Sequence, residues 1–475
     1  MSIKEKLKEM TKVADDFPAS ESVTPPSRAN MGEAMASPLS TQKKQTLAEL
    51  RARIDAVAGR NTSAANSSSV SRRYIPQSQR QAHAVTRNGG SVNNDLPPLY
   101  SSYRHEGREV HNAHGSFFLV EETLEGSHRH GDFMVSDFSR ICTNSLAMLA
   151  DQKAIGELNC SDALFLDLET TGLSGGAGTF PFMIGIGWLA DGKFVVQQLF
   201  SRDHSEEKAS LAHLLTAVAQ RGFLITFNGK AYDVNLLATR LVLNRFPNSL
   251  DDMPHLDLLY SCRRVFKHRL EDCSLSSVEG GVLGFQRGED IPGMEIPQRY
   301  FAWLRRRDPA LVSDIFYHNR LDIISMVGIA LSLSQITTTE AVCSERDLLN
   351  MERLKIQRTD GEKDLARLLE LAESADDSVA EEARETLSAI YKRDGNWEDA
   401  HRLWLRMLAS RPNNFLAVEE LAKYYEHRER RYLKAIDILE EFIQTAGFIA
   451  SERREIIARR LKRLNRKINE KDSGC

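Results

Sequence analysis

The 475-residue sequence has little of what would place it in several large protein classes. No stretch approaches the roughly 18 consecutive apolar residues that a membrane span requires, so no span is expected. The opening residues, Met1-Ser-Ile-Lys-Glu-Lys-Leu-Lys-Glu, lack the apolar core of a secretory signal. Cysteine is scarce: Cys142, Cys160, Cys262, Cys273, Cys343 and Cys475 are scattered without framework spacing. That argues against a disulfide scaffold and for a reducing, cytoplasmic setting. Excess positive charge is also missing, since the formal net charge is −4. Any contact with nucleic acid must therefore be local.

What is present is enough apolar material, 41% of residues, for cores in two or three domains. Residues 1–97 are rich in Ser, Thr, Asn, Pro and Gln and nearly free of aromatics. Such a segment buries too little surface to offset its chain entropy and is expected to be mostly disordered. Within it Leu47, Leu50, Ile54 and Val57 recur at helical spacing before Gly59, which fits a transient capped helix or a short recognition helix. Residues 98–158 read as a small β-rich extension, with Ser116-Phe-Phe-Leu-Val-Glu-Glu as a strand. The histidines there (His105, His111, His114, His128 and His130) match no metal-ligand spacing and read as surface loop residues.

Residues 159–338 alternate strands and helices. Strand patterns occupy 164–168, 182–189, 193–199 and 223–227, and Asp191-Gly192 is a strong hairpin turn. Helical patterns cover 206–220 and 233–244, and another runs from Asp308-Pro309 to 333 with a possible break. A hairpin followed by a β-α-β crossover predicts an α/β fold, a mixed sheet flanked by helices. Residues 346–470 are helical and charged. Leu387 and Leu421 lie 34 residues apart, as do Tyr391 and Tyr425, and Ala400 and Ala435 lie 35 apart. This resembles tetratricopeptide repeats, each helical pair covered by its neighbour, and a protein-docking role is expected.

Three motifs carry chemistry. In Leu166-Asp167-Leu168-Glu169-Thr170-Thr171-Gly172, strand alternation sends Asp167 and Glu169 to one face and the leucines to the other. Paired carboxylates repel unless a divalent cation takes their oxygens, although an exposed strand can carry the pattern by chance. In Asn228-Gly229-Lys230-Ala231-Tyr232-Asp233, a strand ends in a turn and a helix begins with Asp233 in its first turn. Strand carboxyl ends are where α/β sheets place their sites, but a favourable helix-dipole interaction explains the same aspartate. In His318-Asn319-Arg320-Leu321-Asp322, a helix puts His318 and Asp322 on one face. An acid on so apolar a helix needs a metal or a base such as Arg320.

Taken together, these motifs resemble the DEDD superfamily of 3′→5′ exonucleases, which have a ribonuclease H-like fold. Leu173-Ser-Gly-Gly-Ala-Gly-Thr, His255-Leu-Asp-Leu-Leu, Cys273-Ser-Leu-Ser-Ser-Val-Glu, Asp290-Ile-Pro-Gly and His318-Asn-Arg-Leu-Asp narrow the resemblance to the YprB-like bacterial branch. It implies phosphodiester hydrolysis from single-stranded 3′ ends with two Mg²⁺ or Mn²⁺ ions. Asp167 would bridge them, Glu169 and Asp322 would complete one site, and Asp233 would act largely through water. The superfamily places Tyr four residues before its last Asp, or His five before it. Here His318 stands at minus four and Tyr317 at minus five. On a continuous helix the offset of four keeps His318 on the metal face, as the residue that orients or deprotonates water. A helix starting after Asn319 would favour Tyr317.

Thr170, Thr171, Gly172, Asn228 and Lys230 are candidate substrate contacts beside these motifs. Arg263-Arg264-x-x-Lys267-His268-Arg269 and Arg305-Arg306-Arg307 are phosphate tracks or solvated helix faces. The glycines at 172–178 lack a following Lys-Ser/Thr, so a triphosphate-binding P-loop is excluded and a tight turn is expected. His255, Cys262, His268 and Cys273 fit no zinc module, and Asp257 and Glu279 read as structural acids. The expected protein is thus a nuclease with a docking tail. The alternative is a non-catalytic nucleic-acid-binding or assembly scaffold on the same fold.

Overall fold

A central sheet decides where the acids meet. The computed structural model describes residues 106–172, 178–338, 343–358 and 364–472, all within the compact unit Asn94–Cys475. The expected disorder of residues 1–97, the 46–59 helix and most of the glycine run lie outside the described residues. The strands are β1 (Gly107–Asn112), β2 (Gly115–Leu124), β3 (Arg129–His130), β4 (Phe133–Met134), β5 (Ala163–Thr170), β6 (Pro181–Ala190), β7 (Lys193–Phe200), β8 (Phe223–Thr226) and β9 (His255–Asp257). Seven form one sheet in the order β1-β2-β7-β6-β5-β8-β9, and β3 and β4 pair separately. The pairs from β1 to β5 are antiparallel, and β5-β8 and β8-β9 are parallel, so the sheet is mixed. Asp191 (φ 50°) and Gly192 (φ 76°) make the β6-β7 turn, both in the left-handed region that a two-residue hairpin requires.

The 98–158 extension is not a separate layer. β2 pairs along the free edge of β7 and β1 along β2, so both extend the same sheet and cover an edge otherwise open to pairing. The rest of the segment is largely helical, including α1 (Thr143–Ala150). Around the sheet stand α2 (Glu207–Val218), α3 (Asp233–Leu243), α4 (Leu258–Val265), α5 (Leu275–Val278), α6 (Ile296–Arg306) and α7 (Ala310–Thr337). Leu164, Leu166 and Leu168 of β5 join one core with Leu211, Leu214, Leu237 and Leu241 of α2 and α3. Ala163 and Phe165 join the opposite core with Ile323 and Val327 of α7. The strand is therefore buried on both faces, and its polar side chains are forced into the α7 interface.

The long helix runs unbroken for 28 residues. By length and composition it could cross a membrane, yet 78% of its apolar window is buried inside the protein. Two β6 glycines let it approach the sheet. A Cβ on Gly185 would lie 2.3 Å from Asn319 Oδ1, and one on Gly187 would lie 2.7 Å from Ile323. In register, Gly185 sits opposite Asp167 and Gly187 opposite Phe165. The closest approach of helix and sheet thus falls beside the first acid.

The helices α8 (Glu345–Arg358), α9 (Ala366–Leu371), α10 (Asp377–Arg393), α11 (Trp397–Ser410), α12 (Phe415–His427), α13 (Tyr432–Thr445) and α14 (Ser451–Asp472) complete the chain, each packing on its sequence neighbour. Leu387, Leu421, Ala400 and Ala435 are fully buried, whereas Tyr391 is half-buried and Tyr425 buried. α8 docks on α4 and α7. The first basic run partly serves this joint. Arg269 and His268 meet Asp347 at 3.2 and 3.5 Å, and Arg264 donates to Gln357.

Candidate active site

Strand alternation places Asp167 and Glu169 on the Phe165 face of β5, toward α7. Asp167 is oriented by a chain of carboxamides. Asn319 Nδ2 donates to Asp167 Oδ2 at 2.8 Å, and Gln198 Nε2 donates to Asn319 Oδ1 at 3.0 Å and to the Phe316 carbonyl at 2.8 Å. α7 supplies His318 and Asp322 one turn apart, and α3 supplies Asp233 from its first turn. One ligand atom each from Glu169, His318 and Asp322 fall within 4.8 Å of one another. Because α7 begins at Ala310, His318 shares the face of Asp322, and its Nε2 stands 3.6 Å from Asp322 Oδ2.

The electrostatics show what the cluster lacks. Burial, then Asp322, Glu169 and Asp233, hold the Asp167 carboxyl well above the usual range. Burial, then Asp322 and Asp233, do the same to Glu169, and burial with Asp257 and Asp322 pushes Asp233 up to about 7. Glu169 and Asp233 are 8% and 7% exposed and have no side-chain hydrogen bond among the described residues. A dipole-stabilised surface aspartate would be solvated, and Asp233 is not. Clustered, desolvated carboxylates without donors are hard-oxygen ligands with uncompensated charge, a set that suits divalent cations.

One base reaches the cluster, but it is not Arg320, which pairs with Glu122 of β2 at 2.5 Å. Arg287, from the loop before α6, donates to Asp322, to both oxygens of Glu279 (2.6 and 2.7 Å) and to Asp290 (2.8 Å). His318 Nδ1 meets Asp290 Oδ2 at 2.9 Å. Burial disfavours the imidazolium, but Asp322 and Asp290 outweigh it and hold His318 above its ordinary pKa. Burial likewise opposes ionisation of Asp290, yet His318 and Arg287 hold it below the carboxylate range. Behind Arg287, Ser325 donates to Glu279 and meets His130 Nε2 at 2.7 Å. His130 is thus no surface loop residue. The β3-β4 hairpin packs it against Phe285 at 3.8 Å, and burial lowers its pKa to about 3.

The substrate candidates divide. Thr170 Oγ1 donates to the Gly172 carbonyl at 2.8 Å, and Thr171 Oγ1 accepts from the Phe180 amide at 2.9 Å, so both hydroxyls shape the turn after β5. Gly172 also accepts a hydrogen bond from Tyr232. Asn228, at φ 69°, is exposed where β8 leads into α3. Asp257 holds that turn by accepting from the amides of Asn228, Lys230 and Leu259. The Lys230 ammonium is half-buried, which lowers its pKa, and the charges acting on it are Asp257, Arg358 and Asp151 rather than the four acids. Of the second basic run, Arg305 and Arg306 are exposed at the end of α6, and Arg307 lies over Trp303 at 4.5 Å.

Sequence reasoning singled out none of Arg287, Asn319, Gln198 or Asp290 as a site residue. Three of them have a signal, since they stand in or beside the Asp290-Ile-Pro-Gly and His318-Asn-Arg-Leu-Asp motifs. Gln198 has a weaker one: an amide in an otherwise apolar strand needs a buried partner. A family model described as RNase_H superfamily matches residues 164–333. The uncharacterized protein YprB of Bacillus subtilis (strain 168) is 32% identical over 352 residues, covering 72% of this chain and 84% of that protein.

Proposed function

We propose that this chain, which belongs to the YprB family within the ribonuclease H superfamily, is a divalent-metal-dependent nuclease that shortens single-stranded nucleic acid from its 3′ end. One observation carries the nuclease reading: burial and the neighbouring Asp322 raise the proton affinity of Asp167, Glu169 and Asp233, and two of these three have no donor. The 3′→5′ polarity and the single-strand preference rest on the resemblance of the motifs to DEDD exonucleases.

Asp167, Glu169, Asp233 and Asp322 would hold two Mg²⁺ or Mn²⁺ ions. When bound, such ions supply Lewis acidity, making water more acidic and neutralising charge on phosphoryl oxygens. The chain's own residues do the rest. Asp290 fixes the His318 tautomer by accepting from Nδ1, which leaves Nε2 turned toward the acids to take the proton of an attacking water. Arg287 orients Asp322, and the Gln198–Asn319 pair orients Asp167. The turn held by Thr170 and Thr171 offers backbone, with Gly172 leaving room for a terminal nucleotide. Asn228 is an exposed polar group in the turn before α3.

The test incubates the purified full chain with matched 5′-labelled DNA and RNA single strands in Mg²⁺, Mn²⁺ or EDTA. A ladder shortened from the 3′ end is expected with metal and not with EDTA. Asp167→Asn should slow it by on the order of a thousandfold or more, with an unchanged circular dichroism spectrum. Undiminished cleavage by that variant would overturn the nuclease assignment. Cleavage of circular single strands would overturn the end requirement alone.

A further inference from the structure

The last helix of the array, α14, carries positive charge that its own acids do not neutralise. α14 has nine Lys and Arg against four Asp and Glu. Arg459, Lys462 and Arg466 are exposed, and their i, i+3, i+7 spacing lines them along one face, Arg459 beside Glu455 at 3.9 Å and Arg466 beside Glu470 at 3.4 Å. On the adjoining face Arg460, Arg463 and Lys467 converge on the buried Glu426 at 2.8, 2.7 and 2.9 Å. Three cations on one carboxylate leave a surplus.

Beside them opens a cavity of about 490 Å³ lined by Trp397, Tyr424 and Arg428 and by Lys392 and Lys423, which share Glu420 at 2.5 and 2.8 Å. Its flat groups are arranged as a pile. His401 stacks on Tyr424 at 4.7 Å and 25°, Tyr424 on Trp397 at 6.5 Å and 27°, and the exposed Arg428 guanidinium covers the Trp397 ring at 4.0 Å.

We propose that this groove and the α14 ridge form a second binding surface, for single-stranded nucleic acid, separate from the acid cluster. An acidic peptide would satisfy the cations alone. A single strand satisfies the cations with its phosphates and the pile of planes with its bases, because every base has a face to stack. The inference deepens the nuclease reading by giving the same substrate a second hold, and it rests on that reading for its biological sense. Its measurement does not, because binding is read without hydrolysis.

The experiment uses the full chain in EDTA, where the metal-free acids repel phosphate and the remaining affinity reports this surface. Fluorescein-labelled oligo(dT) and oligo(U) of roughly 30 nucleotides are titrated by anisotropy across a salt series. Reversing the ridge (Arg459→Glu, Lys462→Glu and Arg466→Glu together) should raise Kd at least about tenfold and flatten the log–log salt slope by about 2. Arg428→Ser should weaken binding about fivefold or more and leave the slope nearly unchanged. These side chains are exposed, so matching circular dichroism spectra will certify the variants. Unchanged affinity and slope in both variants overturn the proposal. So does polyglutamate that competes as well as oligo(dT) at equal charge, which assigns the surface to an acidic protein. Hydrolysis without this binding sinks the second surface alone, and binding without hydrolysis sinks only the nuclease reading.

Discussion

Glu426 in the helical array and Glu169 in the sheet are both carboxylates taken out of water, and their surroundings differ in kind. Glu426 is ringed by Arg460, Arg463 and Lys467, and despite burial Arg463 and Lys467 lower its pKa to about 2. Glu169 has Asp322, Asp233 and Asp167 for neighbours, and its pKa is raised instead. A structural acid carries its counter-ions on the chain, whereas the acids of β5 and α3 leave their charge for something from solution. Asp322 stands between the two cases, with Arg287 on one oxygen and His318 facing the other.

The contrast can be broken in four ways. The largest effect is expected at His318. His318→Gln should lower kcat by on the order of a hundredfold and remove one limb of the pH–rate profile, and a profile that keeps that limb would exclude the imidazole as base. Arg287→Gln comes next, at about 10–100-fold in activity, with a matching change in Mn²⁺ affinity by calorimetry. An unaltered Mn²⁺ isotherm would show that Arg287 does not position Asp322. In the other cluster, Glu426→Gln should cost about 1.5–3 kcal/mol in denaturant unfolding and spare hydrolysis of short strands. The smallest effect is on pH dependence, and there the clusters have opposite signs. Asp233, raised to about 7, favours the fold below the unfolded value of about 4, and that contribution is lost as pH rises through 7. In EDTA the melting temperature should therefore fall between pH 5 and 8, and Mn²⁺ should abolish the fall. Glu426 contributes above about 4 and loses its contribution as pH drops toward 2. A flat melting curve in EDTA would mean that the four acids do not share one buried site.

The mixed sheet was legible because its signals are local. Alternation set the faces of β5, and Asp191-Gly192 dictated the two-residue turn. Alternation and helical spacing paired Asp167 with Glu169 and His318 with Asp322, and the resemblance to DEDD exonucleases joined them to Asp233. Arg287 was not, because its partners lie 8 residues upstream at Glu279 and 35 downstream at Asp322, with no periodicity to join them. His130 was misread for a related reason: a histidine in a two-residue strand has no pattern that announces burial, and only packing against Phe285 and Ser325 provides it. The basic run at 263–269 read as a phosphate track or a solvated helix face because Asp347, the partner of Arg269 and His268, follows it by 78 residues or more.

Composition and spacing by themselves determined which side chains share a strand face or a helix face, since those depend only on periods of 2 and 3.6 residues. They determined the strands near 164–168, 182–189, 193–199 and 223–227 and the helices near 206–220 and 233–244. Only the tertiary structure decided that the faces meet: the space left by Gly185 and Gly187 lets α7 close on β5, and the closure takes water from the carboxylates. Desolvation is what sets these acids apart from ordinary ones, and it is a property of what packs around a residue rather than of the residue itself.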